Sequence, residues 1–101
     1  MELQVVDNPK QAQYEIRADG ELAGVVKYHL RDGDIALLHT ETDDRFRGHG
    51  LGGQLVKATL DAARERHLQV LPYCPYARRW IADHPGYADL VPEGRRSEFD
   101  L

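Results

Sequence analysis

Four glycines fall within the six residues from Gly48 to Gly53, in the stretch RFRGHGLGGQLV that runs from Arg45 to Val56. Glycine loses more conformational entropy on folding than any other residue, so a cluster of glycines destabilises ordered structure. Such a cluster indicates that the backbone there has a conformation or a contact that requires glycine. The residues after the cluster have helical spacing, with apolar side chains at Leu51 and Leu55. We therefore expect a loop of bare backbone directly in front of a helix.

The flanking segments predict an α+β fold, with a mixed, mostly antiparallel sheet, a helix after the glycine loop and a second, shorter C-terminal helix. The 101 residues fit one domain, which we expect over residues 1–92, followed by a polar C-terminal tail at 93–101 that frays. Asp19-Gly20 predicts a two-residue hairpin turn. The predicted strands are Leu3–Val6, Tyr14–Ala18, Leu22–Leu30, Ile35–Thr40 and Gln69–Leu71, and the predicted helices run from Leu51 to about Arg66–His67 and from Tyr76 to Asp83.

The composition is that of a water-soluble globular protein, with 42% hydrophobic and 30% charged residues. A net charge of −4 argues against nucleic acid or an anionic membrane as the main partner. The single cysteine, Cys74, excludes an internal disulfide framework and suits a reducing compartment. No apolar run is long enough to span a bilayer, and the first residues do not read as a signal peptide. We expect a cytoplasmic protein.

A glycine loop before a helix is suited to binding a phosphate, because the first backbone N–H groups of a helix have no partners within the helix. A P-loop is excluded, since no Gly-Lys-Ser/Thr follows. Gly48, Gly50 and Gly53 match the dinucleotide pattern G-x-G-x-x-G, but no acidic residue ends the next strand at Val70-Leu71 to bind a ribose. A glycine-rich turn without any ligand stays open as an alternative.

The stretch Arg47–Gly52 also fits R-x-x-G-x-G, the acyl-CoA-binding signature of the GNAT superfamily of N-acetyltransferases. LLHTET before it, and GLGGQLVKATLDAAR and VLPYCPYARRWIADHPGY after it, resemble a small, compact, single-domain branch of that superfamily. The resemblance covers nearly the whole chain. It implies an N-acetyltransferase that uses acetyl-CoA as cosubstrate. A non-catalytic acyl-CoA-binding or regulatory module is the alternative.

The resemblance also implies which residues bind coenzyme A. The strand around Thr40 and Thr42 would lie along the pantetheine arm, where a backbone amide can polarise the thioester carbonyl. Arg45 would add positive charge near the phosphates. The loop residues expected to bind the pyrophosphate are Arg47, Gly48, His49, Gly50, Leu51 and Gly52.

Four side chains are candidates for catalysis, which needs a base for the amine and an acid for the departing thiolate. Strand alternation places Leu37, His39 and Glu41 on one face, so His39 could act as base and Glu41 could orient it or take the proton itself. A partly buried histidine of purely structural role is the alternative for His39.

Cys74 follows the strand that would flank the acyl group on its other side. Its thiolate could accept the acetyl group or act as base, and an inert, buried cysteine is the alternative. Tyr76 is the candidate that protonates the coenzyme A sulfur, a role the resemblance implies, although core packing explains it equally well. The five histidines show no ligand spacing, so no metal is expected.

The acceptor side is predicted to be open, because only a short turn separates Ala18 from Leu22 where longer relatives of the superfamily carry helices. The acceptor could be the amine of a small molecule or of a protein. We expect no nucleic-acid or membrane partner, and a monomer or weak homodimer.

Overall fold

The computed structural model describes all residues, 1–101, and confirms the predicted α+β fold. The order of elements is four strands, a helix, a fifth strand and a second helix, as the sequence predicts. The strands are β1 Leu3–Asn8, β2 Gln13–Ala18, β3 Glu21–Arg31, β4 Asp34–Thr42 and β5 Gln69–Pro72; the helices are α1 Leu51–Glu65 and α2 Pro75–Asp83; short 3-10 helices cover Asp44–Phe46, Pro85–Leu90 and Glu93–Phe99.

The five strands form one mixed sheet in the order β1-β2-β3-β4-β5. The first three pairings are antiparallel, whereas β4 and β5 are parallel and are connected through α1, as a parallel pair requires. Asp19 and Gly20 both have positive φ angles, 51° and 84°, which confirms the predicted hairpin turn between β2 and β3. No helix covers the sheet at this turn.

Helix α1 packs on one face of the sheet and supplies much of the core. Leu55 and Leu60 are fully buried, among the strand residues Ile16 and Val26. Each such side chain contributes about 1.5–3 kcal/mol of hydrophobic stabilisation. The buried Thr59 hydroxyl donates to the Leu55 carbonyl oxygen at 2.8 Å, so it adds no unsatisfied polar group to the core.

A β-bulge interrupts β4 at Leu38. Tyr28 of β3 pairs with Leu37, but the preceding Lys27 pairs with His39, so Leu38 is an extra residue. The expectation that Leu37, His39 and Glu41 share one face is therefore wrong for Leu37. Leu37 is fully buried, whereas His39 and Glu41 are exposed on the opposite face of the sheet, since an extra residue reverses the alternation beyond it.

The sequence predicts a frayed C-terminal tail, but the tail is ordered in the structure. Glu93–Phe99 forms a 3-10 helix, and Phe99 is buried with its ring edge-on to Tyr73, 5.3 Å between the ring centroids. Arg95 Nη2 donates to the Tyr73 hydroxyl at 2.9 Å. The contact between the two rings and this hydrogen bond hold the segment against the domain.

A buried carboxylate joins β1 and β2 on the face away from α1. Glu15 accepts hydrogen bonds from Asn8 Nδ2 at 2.9 Å, Gln13 Nε2 at 2.7 Å and Arg17 Nη2 at 2.8 Å. These bonds, that of Asn8 foremost, hold the pKa of Glu15 below the ordinary glutamate value of 4.5. The ionised form therefore stabilises the fold above pH 4.5, and this contribution is lost as the pH falls.

We expect Glu15→Gln to lower the free energy of unfolding by about 1–3 kcal/mol at pH 7, because an amide offers one acceptor oxygen where three donors converge. Urea unfolding at pH 7 and at acidic pH measures the effect. The difference from the wild type should narrow in acid, and a difference that is equal at both pH values would contradict the assignment. Glu65→Gln, at an exposed carboxylate without a side-chain partner, is the control and should change stability by less than about 0.5 kcal/mol.

Candidate active site

The glycine loop has the backbone conformation that only glycine adopts readily. Gly48 and Gly50 have φ angles of 87° and 68°, in the left-handed region, and no atom lies within 4 Å of where a Cβ would stand on either. Gly50 is the N-cap of α1 and supplies no side-chain hydrogen bond to the first turn. The first amides of this helix are therefore available to a ligand in the open space beside the loop.

A cavity of about 220 Å³ lies at this helix start. The glycine loop forms one wall, the end of β4 forms another, and the tyrosine at the start of α2 closes a third side. Its lining residues are Thr40, Thr42, Phe46, Arg47, Gly48, Gly50, Leu51, Gly52 and Tyr76.

The strand edge that lines this cavity is unpaired on one side. Parallel pairing of β4 with β5 ends at Leu37 and Pro72, while β4 continues to Thr42. The Asp43 amide donates to Ala23 of β3 at 2.7 Å, so by strand alternation the amides of Thr40 and Thr42 point away from β3. Without the bulge at Leu38 these amides would point into the β3–β4 ladder. The bulge thus turns backbone donors toward the cavity.

Two side chains after β5 approach the same place. Cys74 is buried, and its Sγ lies 3.2 Å from Thr40 Oγ1. Its backbone amide donates to the Leu37 carbonyl at 2.9 Å, which fixes the start of α2 beside β4. Tyr76 is 46% exposed, and its hydroxyl lies so close to Gly52 that a Cβ there would be 2.5 Å away.

His39 and Glu41 form a pair on the other face of β4. His39 Nε2 lies 3.0 Å from Glu41 Oε1, and both side chains are more than half exposed. By register, Lys27 and Val25 of β3 are their neighbours on this face. The pair is reached from the side of the sheet opposite α1. Next to this pair, the edge of β4 beyond Leu37 has no strand partner, because the pairing with β5 ends at Pro72.

The arginines of the glycine stretch are already paired with acids. Arg45 donates to Asp43 Oδ2 at 3.0 Å, and Arg47 donates to Asp44 Oδ1 at 2.8 Å. The bonds from Arg45 hold the pKa of Asp43 below its ordinary value. Arg47 lines the cavity as expected, but the charge of each arginine is offset by a neighbouring carboxylate.

Comparison with known protein families identifies the family of this chain. The sequence model of the family described as GCN5-related N-acetyl-transferase matches residues 13–90, from β2 to the end of the 3-10 helix that follows α2. The chain belongs to this family. The match includes the glycine loop, the open strand edge and the start of α2, and it confirms the resemblance inferred from the motifs.

Several proteins are similar to this GCN5-related N-acetyl-transferase domain. Protein NATD1 of Xenopus tropicalis is 28% identical over 85 residues, covering 82% of this chain and 78% of its own, and the human protein NATD1 is 27% identical with 82% and 75% covered. The solution structure of a GCN5-like protein from Staphylococcus aureus superposes with a TM-score of 0.67 at 24% identity, covering 89% of this chain and 88% of its own. Ard1 from Thermoplasma volcanium gives a TM-score of 0.51 at 24% identity, with 60% and 43% covered. These structures share the fold.

Most of the residues predicted to bind coenzyme A lie together in this GCN5-related N-acetyl-transferase domain. Seven of the eight line the cavity: Thr40, Thr42, Arg47, Gly48, Gly50, Leu51 and Gly52. His49 is exposed and does not line it. Of the four predicted catalytic residues, only Tyr76 lines the cavity. Cys74 contacts it through Thr40, and His39 and Glu41 lie on the other face.

Sequence reasoning missed Phe46, which lines the cavity between the two arginines of RFR. An aromatic residue inside a polar loop was the available signal.

No group of three or more His, Cys, Asp and Glu side chains could hold a metal ion. None of the helices combines the length and the apolar character that crossing a membrane requires.

Proposed function

We propose that this protein is an acetyl-CoA-dependent N-acetyltransferase that acetylates an amine, acting in the cytoplasm as a monomer or weak homodimer. The observation that carries the proposal is the cavity where the glycine loop, the open edge of β4 and Tyr76 meet. Membership of the GCN5-related N-acetyl-transferase family supports the reaction class.

The residues present fit coenzyme A. The left-handed Gly48 and Gly50 leave open space beside the free amides of the α1 N-terminus, which suits a pyrophosphate. The amides and carbonyls of Thr40 and Thr42 suit the amide groups of a pantetheine arm lying along β4. The parallel end of β5 at Pro72 leaves room for that arm.

Acetyl-CoA, when bound, supplies the acetyl group as an activated thioester. The chain's part is to place hydrogen-bond donors and proton carriers around it. Of the amides of Thr40 and Thr42, the one that lies beside the thioester offers a fixed donor to an oxygen that gains negative charge, and the other remains for the pantetheine arm. The Tyr76 hydroxyl, at the cavity, can donate its proton to a departing sulfur.

His39 and Glu41 are proposed to take the proton from the acceptor amine. With Nε2–H donating to Glu41 Oε1, His39 keeps Nδ1 as a proton acceptor. Both side chains are more than half exposed, so an amine can approach from the sheet face opposite α1. No helix between β2 and β3 covers that face, and this supports an acceptor site open to a small or a protein amine.

Cys74 is proposed to act through Thr40. Its 2% exposure and its contact with Thr40 Oγ1 favour holding this residue in place over carrying the acetyl group. Intact mass after treatment with acetyl-CoA separates the two roles. A positioning role predicts no stable acetyl adduct, whereas one added acetyl group that is lost in Cys74→Ser would establish the covalent route.

The binding half of the proposal is tested by thermal unfolding with coenzyme A, acetyl-CoA and NAD. A ligand at a hundred times its dissociation constant stabilises the folded state by about 2.7 kcal/mol, so both coenzyme A species should raise the melting temperature. NAD should not. A protein that responds to NAD alone, or to none of the three, is not a coenzyme A protein.

The catalytic half is tested by coenzyme A release from acetyl-CoA in the presence of amines. We expect amine-dependent release that His39→Ala lowers by about 100-fold, in the range that general base catalysis contributes. His29→Ala is the control, because His29 is also exposed on the same face but pairs with Ala36, before the bulge. Tight binding without release, for any amine tried, would show the alternative, a non-catalytic acyl-CoA-binding module.

A further inference from the structure

The cavity at the glycine loop holds only part of a coenzyme A molecule. Its volume of about 220 Å³ is below the 300–1,000 Å³ or so typical of sites for ligands that are smaller than coenzyme A. The remainder must extend onto the neighbouring surface. Two further cavities adjoin: one of about 390 Å³ shares Thr42, and one of about 330 Å³ shares Tyr76.

The two neighbouring cavities differ in charge. The one reached through Thr42 is lined by the carboxylates of Glu41 and Asp43, which repel a phosphate. Arg45 lies between Asp43 and Glu21 and offsets only part of this charge. Charge therefore excludes this cavity as the place for the anionic end of the ligand.

The cavity reached through Tyr76 is a groove on the exposed face of α2, and it carries an unpaired cation. Arg79 lies one helical turn after Tyr76 and forms no hydrogen bond or ion pair through its side chain. The indole of Trp80 lines the same groove, with one face stacked on His84 at 3.8 Å between the ring centroids. Asp83 lies at the far end of the groove and does not pair with Arg79.

This free arginine contrasts with those of the glycine loop. Arg45 and Arg47 are each bound to a carboxylate, in a protein whose net charge is −4. An unpaired guanidinium beside an aromatic side chain suits a phosphate attached to a purine nucleoside, since guanidinium groups bind phosphates and aromatic rings contact bases.

We propose that the groove of Tyr76, Arg79 and Trp80 on α2 binds the adenosine 3′-phosphate end of coenzyme A, with Arg79 bound to the 3′-phosphate. The inference rests on the proposed coenzyme A site and adds to it a second, separate contact region. The pyrophosphate then depends on backbone amides, and the 3′-phosphate depends on one side chain.

The test compares the affinities of coenzyme A and 3′-dephospho-coenzyme A, which differ only in that phosphate. Calorimetric titration of the wild type should give about tenfold tighter binding of coenzyme A, the effect expected of one charge-assisted contact. Arg79→Gln should bring the two affinities together. Arg31→Gln, at an exposed and unpaired arginine that ends β3 and pairs with the first residue of β4, far along the strand from Thr42, should leave the tenfold difference unchanged.

A second readout uses the one tryptophan of the chain, Trp80. Adenosine 3′,5′-bisphosphate should change its fluorescence and compete with coenzyme A, whereas pantetheine should leave the fluorescence unaltered. Asp83→Asn should tighten binding of the bisphosphate, because a like charge is removed from the groove.

The outcomes separate this inference from the function on which it rests. Equal affinities for the two coenzymes in the wild type, or a tenfold difference that persists in Arg79→Gln, would overturn the adenosine site while leaving the coenzyme A site standing. Failure of the wild type to bind either coenzyme would overturn the proposed function itself. Because Arg79 is exposed and unpaired, its replacement should leave the melting temperature unchanged, so loss of fold does not confuse the result.

Discussion

Replacement of Gly50 by alanine is expected to weaken coenzyme A binding by about tenfold or more. Gly50 has a φ angle of 68°, and a Cβ there meets no atom within 4 Å, so backbone conformation alone decides the effect. An alanine in the left-handed region costs about 1–2 kcal/mol, which corresponds to about a tenfold change in an equilibrium. The loop can lower this strain by changing its backbone conformation at residue 50. That change turns the first amides of α1 away from the ligand and so weakens binding. Calorimetric titration with coenzyme A measures the change.

Two control variants separate binding from stability. Gly33→Ala introduces the same kind of strain, at a φ angle of 79° with open space around it, in a turn distant from the cavity. It should lower the melting temperature as Gly50→Ala does and leave the affinity for coenzyme A unchanged. Gly50→Asn should keep more affinity than Gly50→Ala, because asparagine tolerates this conformation better. Equal affinities of wild type and Gly50→Ala would show that the loop amides do not bind the ligand.

The fold could be predicted from the sequence because local signals agree with one another. The Asp19-Gly20 turn, the apolar stripe beginning at Leu51 and the change of period at the glycine loop are each read from neighbouring residues, and the structure has each where it was predicted. Seven of the cavity-lining residues were predicted from the resemblance to the GNAT superfamily, whose signature spans the glycine loop.

The remaining features depend on contacts between distant residues. The bulge at Leu38 depends on the pairing of β4 with β3, so the sequence of β4 alone does not predict it. Simple alternation therefore placed His39 and Glu41 on the same face of the sheet as Leu37, which is the wrong face. Burial of Phe99 depends on Tyr73, which lies far away in sequence. Whether an arginine is free or paired likewise depends on tertiary structure, as Arg79 shows.

Gly52→Ala is expected to lower the rate of acetyl transfer by about tenfold or more without unfolding the protein. A Cβ at Gly52 would lie 2.5 Å from the Tyr76 hydroxyl and 2.9 Å from its Cζ, so the ring must move out of the cavity. The ring is nearly half exposed and can turn into solvent, and alanine is favoured over glycine inside a helix by about 1 kcal/mol. Thermal unfolding should therefore show a stable protein. The rate of coenzyme A release in the presence of amine should fall, because the Tyr76 hydroxyl is displaced from the position in which it donates its proton.

The adjacent glycine provides the matched control. A Cβ at Gly53 would lie 3.4 Å from Trp80 Nε1, which the ring accommodates with a small adjustment, so Gly53→Ala gains the same helical preference without displacing Tyr76. It should be as stable as Gly52→Ala and as active as the wild type. Because Gly52→Ala acts through Tyr76, adding it to Tyr76→Ala should lower the rate no further. If the double variant is slower than Tyr76→Ala, the substitution at Gly52 acts by a route other than Tyr76. It would then weaken the binding of coenzyme A by the first turn of α1.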